Sequence, residues 1–91
     1  MKEATARRAV YLIVAAMSHK DPINFQDDFV LGSPAPKQAG VGMDATLIGG
    51  CRSMINTFIK NHGGTKGIPA GKLKEDTTLG EVIDMVIARV P

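Results

Sequence analysis

Few side chains in this chain are of types that do chemistry, and their spacing narrows what they can do. The single cysteine, Cys51, sits inside an apolar run, and no Cys/His pair has the spacing of a zinc site. A catalytic thiol needs exposure and a nearby base, so Cys51 reads as a small core residue. His19 and His62 fall at the expected ends of helices, where imidazole suits the negative pole of the dipole. Gly63-Gly64-Thr65-Lys66-Gly67 lacks the spacing of a phosphate-cradling loop and reads as a flexible turn. Ser33, followed by Pro34 and Pro36, reads as a loop serine. No nucleophile, base and orienting group form a set. That leaves Asp44-Ala45, at the start of a long helical pattern. Asp44 can cap the first turn, and it can also position a residue of a partner enzyme. The residue after such a cap stands at the rim of the domain, within reach of a partner. Here it is an alanine.

The elements that position these residues follow from periodicity. A first helix is expected over 2–18, burying Val10, Ile13, Val14 and Met17, with Ala6 and Leu12 at the margins and Lys2, Glu3, Arg7 and Arg8 in water. Asp21-Pro22 ends it. A connection of roughly two dozen residues, 19–42, is long for so small a domain. Ile23, Phe25, Phe29, Val30 and Leu31 pin it to a core, and mobility is expected from Pro34 to Gly40. The second helix is expected over 43–61, with Leu47, Cys51, Met54, Ile55, Phe58 and Ile59 on its buried stripe. Gly49 and Gly50 within it each cost about 1 kcal/mol relative to alanine and permit a close approach or a kink. A short helix is expected over 69–75, with Leu73 inward. The last helix, 78–90, opens with the capping box Thr78-Leu79-Gly80-Glu81 and buries Leu79, Val82, Ile83, Val86, Ile87 and Val90. Its β-branched residues favour a strand by propensity, but the 3,4 spacing and the cap decide for helix. The fold class is all-α: one domain, 1–91, of three main helices and one short one.

Composition sets the outer bounds. Ninety-one residues make one small domain, and with no tryptophan and 4% aromatics its core is aliphatic. The formal charge of +2 is spread along the chain, with no basic run interleaved with aromatics, so no nucleic-acid partner is expected. One cysteine excludes an internal disulfide and fits a reducing, cytoplasmic compartment. The apolar run Ala9 to Met17 is too short to span a bilayer, and no membrane association or metal site is expected.

From Gly42 to Val90 the sequence resembles the acyl carrier protein family. The resemblance rests on Gly42-Met43-Asp44-Ala45, where the family has a glycine, an apolar residue, Asp and Ser. It rests further on Ile68-Pro69, followed at the family's spacing by Thr77-Thr78-Leu79-Gly80-Glu81-Val82-Ile83-Asp84. The resemblance implies a small carrier-like bundle, a monomer and not an enzyme. It would carry acyl or aminoacyl thioesters in a specialised fatty-acid, polyketide or related pathway. The cofactor implied is 4'-phosphopantetheine on a serine at position 45, added by a phosphopantetheinyl transferase. Synthases or transferases that process acyl groups would then be the other partners. Asp44 would lie beside the arm, and Met43, Thr46, Leu47, Arg52 and Lys60 would form the docking surface.

The chain departs from the family in three ways. Ala45 has no hydroxyl; Thr46 is one residue out of register and Ser53 lies well inside the helix. Arg52 and Lys60 stand where fatty-acid carriers show an acidic face, and the stretch before Ile68 is longer than usual. An arm-free interaction module of the same fold is the alternative, and a small helical nucleic-acid binder a more distant one.

Overall fold

The computed structural model describes residues 1–34, 36 and 38–91. Three α-helices carry the fold: α1 (Glu3–Ser18), α2 (Ala45–Asn61) and α3 (Leu79–Arg89). A 3-10 turn, Pro22–Asn24, follows α1. The central helix is α1, which packs on both α2 and α3, while those two touch each other only lightly.

Each helix begins and ends for a local reason. His19 closes α1 in the left-handed region, with φ 56°, and Asp21 then caps the 3-10 turn by accepting from the Ile23 N–H at 3.0 Å. Asp44 accepts from the Leu47 N–H at 2.9 Å and so caps α2. Thr78 and Glu81 exchange both bonds of a capping box at the start of α3. The β-branched residues of α3 are held in helix by that cap and by burial of Leu79, Val82, Ile83 and Val86.

The buried stripes are rotated from those expected by periodicity. In α1 the core residues are Ala6, Val10 and Val14, whereas Ile13 and Met17 are half-buried and Leu12 is 53% exposed. Ala6 is fully buried in the core of a helix that packs on both α2 and α3. In α2 the core residues are Ile48, Cys51, Ile55 and Ile59. Leu47 and Phe58 lie on the flank of that stripe, and Met54 is 41% exposed.

The connection after α1 is ordered by backbone pairing. Residues 29–32 form a short central ladder: Val30 bridges Gly40 in parallel and Thr78 in antiparallel sense. Its bonds include Val30 N–H to Ala39 O, Met43 N–H to Leu31 O, Leu31 N–H to Thr77 O and Leu79 N–H to Phe29 O. Gly32 lies so close to Glu75 that a Cβ there would overlap its backbone and side chain. Mobility was expected from Pro34 to Gly40; Ala39 and Gly40 are instead tied to Val30, and Ala35 and Lys37 lie outside the described residues.

The short helix expected over 69–75 does not form. The run is a succession of turns: Gly71 takes φ +87°, Lys72 N–H bonds to Pro69 O, and the Thr77 hydroxyl accepts from the Lys74 N–H. A left-handed residue in the middle breaks any helical turn. Leu73 is nonetheless buried, as its place in the sequence implied.

A polar node ties the connection to α1. The Arg7 guanidinium bonds both carboxylate oxygens of Asp27, closest at 2.7 Å, and also Glu3 at 3.0 Å; the Tyr11 hydroxyl donates to Asp27 at 2.5 Å. Arg7, expected in water, is thus engaged. The Tyr11 ring also stands edge-on to buried Phe25, with centroids 5.7 Å apart. The Arg7 guanidinium first, and then the Tyr11 hydroxyl, hold the Asp27 carboxyl below its ordinary value. Burial first, and then the bond to Asp27, push the Tyr11 hydroxyl up to about 12.

These shifts fix the pH window of the node. A depressed carboxylate contributes stability above its unfolded value of about 3.9, and loses it as pH falls through the folded one. A raised phenol contributes below about 10 and loses it as pH rises through its folded value. Asp27→Asn is therefore expected to lower the melting temperature at neutral pH, with the gap to the parent closing below about pH 4. Tyr11 is the chain's one tyrosine, so its titration can be followed by tyrosinate absorbance. In Asp27→Asn its midpoint should move down from about 12; an unchanged midpoint would refute the coupling.

Candidate functional site

The start of α2 is built from the ladder outward. Residues 39–43 pair with Val30, Leu31 and Gly32 through the backbone, with Val41 and Met43 buried and Gly42 and Asp44 exposed. Gly42 takes φ +85°, a conformation open to glycine at little cost, and delivers the chain into the Asp44 cap. Ala45 is then the first residue of α2 and is exposed.

This placement sorts the docking residues. Met43 is 1% exposed and cannot meet a partner; its thioether lies 3.6 Å from the Cys51 thiol. Its direction is set before the helix begins, by the backbone bond from its N–H to Leu31 O. Thr46 is exposed and Leu47 half-buried. Lys60 is exposed, whereas Arg52 is half-buried and donates to the Ile68 carbonyl at 3.1 Å. Arg52 thus anchors the segment after α2 as well as facing solvent.

Ala45 and Arg52 line one groove, of about 330 Å³, between α2 and the turns of residues 70–75. Ile48 and Gly49 form its α2 wall with them, and Gly71, Leu73 and Lys74 lie opposite. Thr46, Leu47 and Lys60 lie outside it. The far wall is held by Asn56, whose amide nitrogen donates to Ile68 O at 3.1 Å while its carbonyl accepts from Ile68 N–H at 2.7 Å. Asn56 was not singled out in the sequence. An isolated polar residue on the outer face of a helix gives no local signal of a partner twelve residues on.

Reactive groups are otherwise quiet. Cys51 is fully buried, and that burial pushes its thiol up to about 11. The ring Nδ1 of His62 lies 2.8 Å from Phe58 O, and the ring stacks on Phe58 with centroids 4.1 Å apart. Hydroxyl-to-carboxylate bonds among the described residues are Tyr11 to Asp27 and Thr78 to Glu81, both of which hold structure. No group of three His, Cys, Asp or Glu among them could hold a metal ion, and no helix is long and apolar enough to cross a membrane.

Comparison with protein-family models, with curated proteins and with solved structures gave no match.

Two substitutions test this construction. Asp44→Ala is expected to cost about 1 kcal/mol of stability by chemical denaturation, as loss of a capping side chain does. Asn56→Ala should cost about 2 kcal/mol, with two hydrogen bonds lost at roughly 1 kcal/mol each. Hydrogen exchange at the Ile68 amide should also speed up selectively; uniform exchange would show that Asn56 does not hold the segment.

Proposed function

We propose that this protein is a carrier-type domain for acyl or aminoacyl groups, with position 45 as the attachment point in a serine form. The observation that supports the reading best is the setting of that position. Residue 45 is exposed, stands first in α2 directly after the Asp44 cap, and borders the groove that runs to Leu73. A phosphodiester there would meet the positive pole of the helix dipole. An apolar chain would find Ile48 and Leu73 in the adjacent groove. Together with the resemblance of Gly42 to Val90, this favours delivery of tethered groups to acyl-processing enzymes by a cytoplasmic monomer.

The residue present does not fit the arm. Ala45 offers no hydroxyl, so 4'-phosphopantetheine has no point of attachment there as the chain is written. The neighbouring Thr46 hydroxyl belongs to a residue pointing elsewhere on the helix and outside the groove. This same alanine favours the second reading, an arm-free interaction module of the same fold.

Intact mass after incubation with coenzyme A and a broad-specificity phosphopantetheinyl transferase separates the two. The Ala45→Ser variant is expected to gain the arm and the parent to stay unchanged. If neither gains it, the arm-free module is the better reading; if the parent gains it, another hydroxyl is the acceptor. The docking surface is tested at Lys60, which is exposed and free of the loop contact that Arg52 makes. Lys60→Glu should weaken binding to a transferase that modifies the serine form, by about tenfold, equal to 1.4 kcal/mol. Unchanged binding would remove Lys60 from the interface.

A further inference from the structure

A second concave surface lies on the other flank of α2. At 3.6 residues per turn, Gly50, Met54, Phe58 and Asn61 face away from the Ala45–Gly49–Arg52 flank. There α2 meets α1, and a groove of about 380 Å³ opens between Phe58 and the α1 residues Thr5, Arg8, Ala9, Leu12 and Ile13. Its lining is almost wholly apolar. Of the three large apolar residues that are exposed among the described residues, two belong to this side: Leu12, in the groove at 53%, and Met54, one turn before Phe58, at 41%.

Charge around this groove has one sign. Arg8 is its sole charged lining residue and makes no ion pair among the described residues. The single acid of α1, Glu3, is bonded to Arg7 on the opposite flank, where Asp27 also lies. No acid occurs in α2 at all. A second copy of this chain meeting it face to face would therefore offer Arg8 no carboxylate from either helix. A ridge of side chains spaced three and four residues apart fits the groove.

We propose that the groove between α1 and α2 is a docking surface for an amphipathic helix of a partner protein, one with an acidic residue beside its apolar ridge. Apolar side chains of that helix seat on Leu12, Ile13 and Phe58, and its carboxylate pairs with Arg8. The surface is independent of the groove at Ala45, and it serves a carrier and an arm-free module alike.

The test uses the whole chain, labelled with nitrogen-15, and two stapled amphipathic peptides of about four helical turns. Both carry leucines at helical spacing; one has glutamates flanking them and its twin has lysines. The glutamate peptide is expected to shift the amides of Ala9, Leu12, Ile13 and Phe58, and to bind about tenfold tighter than its twin. Arg8→Glu, a surface change, should invert that preference, and Leu12→Asp should abolish binding of both. Any one of four results would overturn the proposal: equal binding of the twins, no binding, shifts centred on Ala45 and Leu73, or an unchanged preference in Arg8→Glu. So would self-association through this face, or phosphatidylglycerol vesicles that displace the peptide from it.

Discussion

The structure depends most on backbone pairing within residues 29–32. This short segment bonds to residues 39–43 on one side and to residues 75–79 on the other. Those two flanks lead straight into the N-caps of α2 and α3, Asp44 and Thr78. One stretch of connection therefore sets where both helices begin. Main-chain bonds need no particular side chain, but they do need close approach, which is why Gly32 packs directly on Glu75. Position 45 is exposed at the rim because this ladder places Met43 inward and turns the chain at Gly42.

Around the ladder, different forces act at different ranges. Aliphatic burial joins α1 to both other helices, with Ala6, Val10 and Val14 at the seam. Aromatic contacts and the Arg7–Asp27–Tyr11 node fasten the connection to α1. The Asn56 and Arg52 bonds to Ile68 fasten the segment after α2 to the helix it leaves. Each fastening joins a stretch without regular structure to a rigid helix, so the loops are held as firmly as their polar partners allow. Among the described residues, no buried side-chain polar atom lacks a partner.

What was legible in the sequence was what local rules govern. The Asp44 cap, the Thr78–Glu81 capping box and the helical character of the β-branched last segment follow from residues within one or two turns of each other. What was not legible depended on distant partners. Periodicity found the helices and placed Cys51, Ile55 and Ile59 of α2 in the core, but it added Leu47, Met54 and Phe58 and missed Ile48, because the facing direction is set by α1 and not by α2 itself. Met43 looked like part of the helix face; it lies before the helix, bonded through its N–H to Leu31 O and buried. Residues 69–75 carry helix-compatible side chains, but Gly71 turns the chain left-handed and hydrogen bonds close the turns. The bond from Arg7 to Asp27 spans 20 positions, beyond the reach of any local rule.

The fully buried Cys51 has a use that follows from its isolation. It is the chain's one thiol, it touches Met43 at the start of α2, and burial keeps it protonated well beyond neutral pH. A thiol reagent can reach it only when α2 parts from its neighbours. Its rate of alkylation is thus a built-in clock for core opening: while reclosing outpaces attack, the rate is the reagent's intrinsic speed scaled down by the opening equilibrium. With a single reactive sulfur, that clock needs no engineered label and leaves both surfaces of α2 untouched.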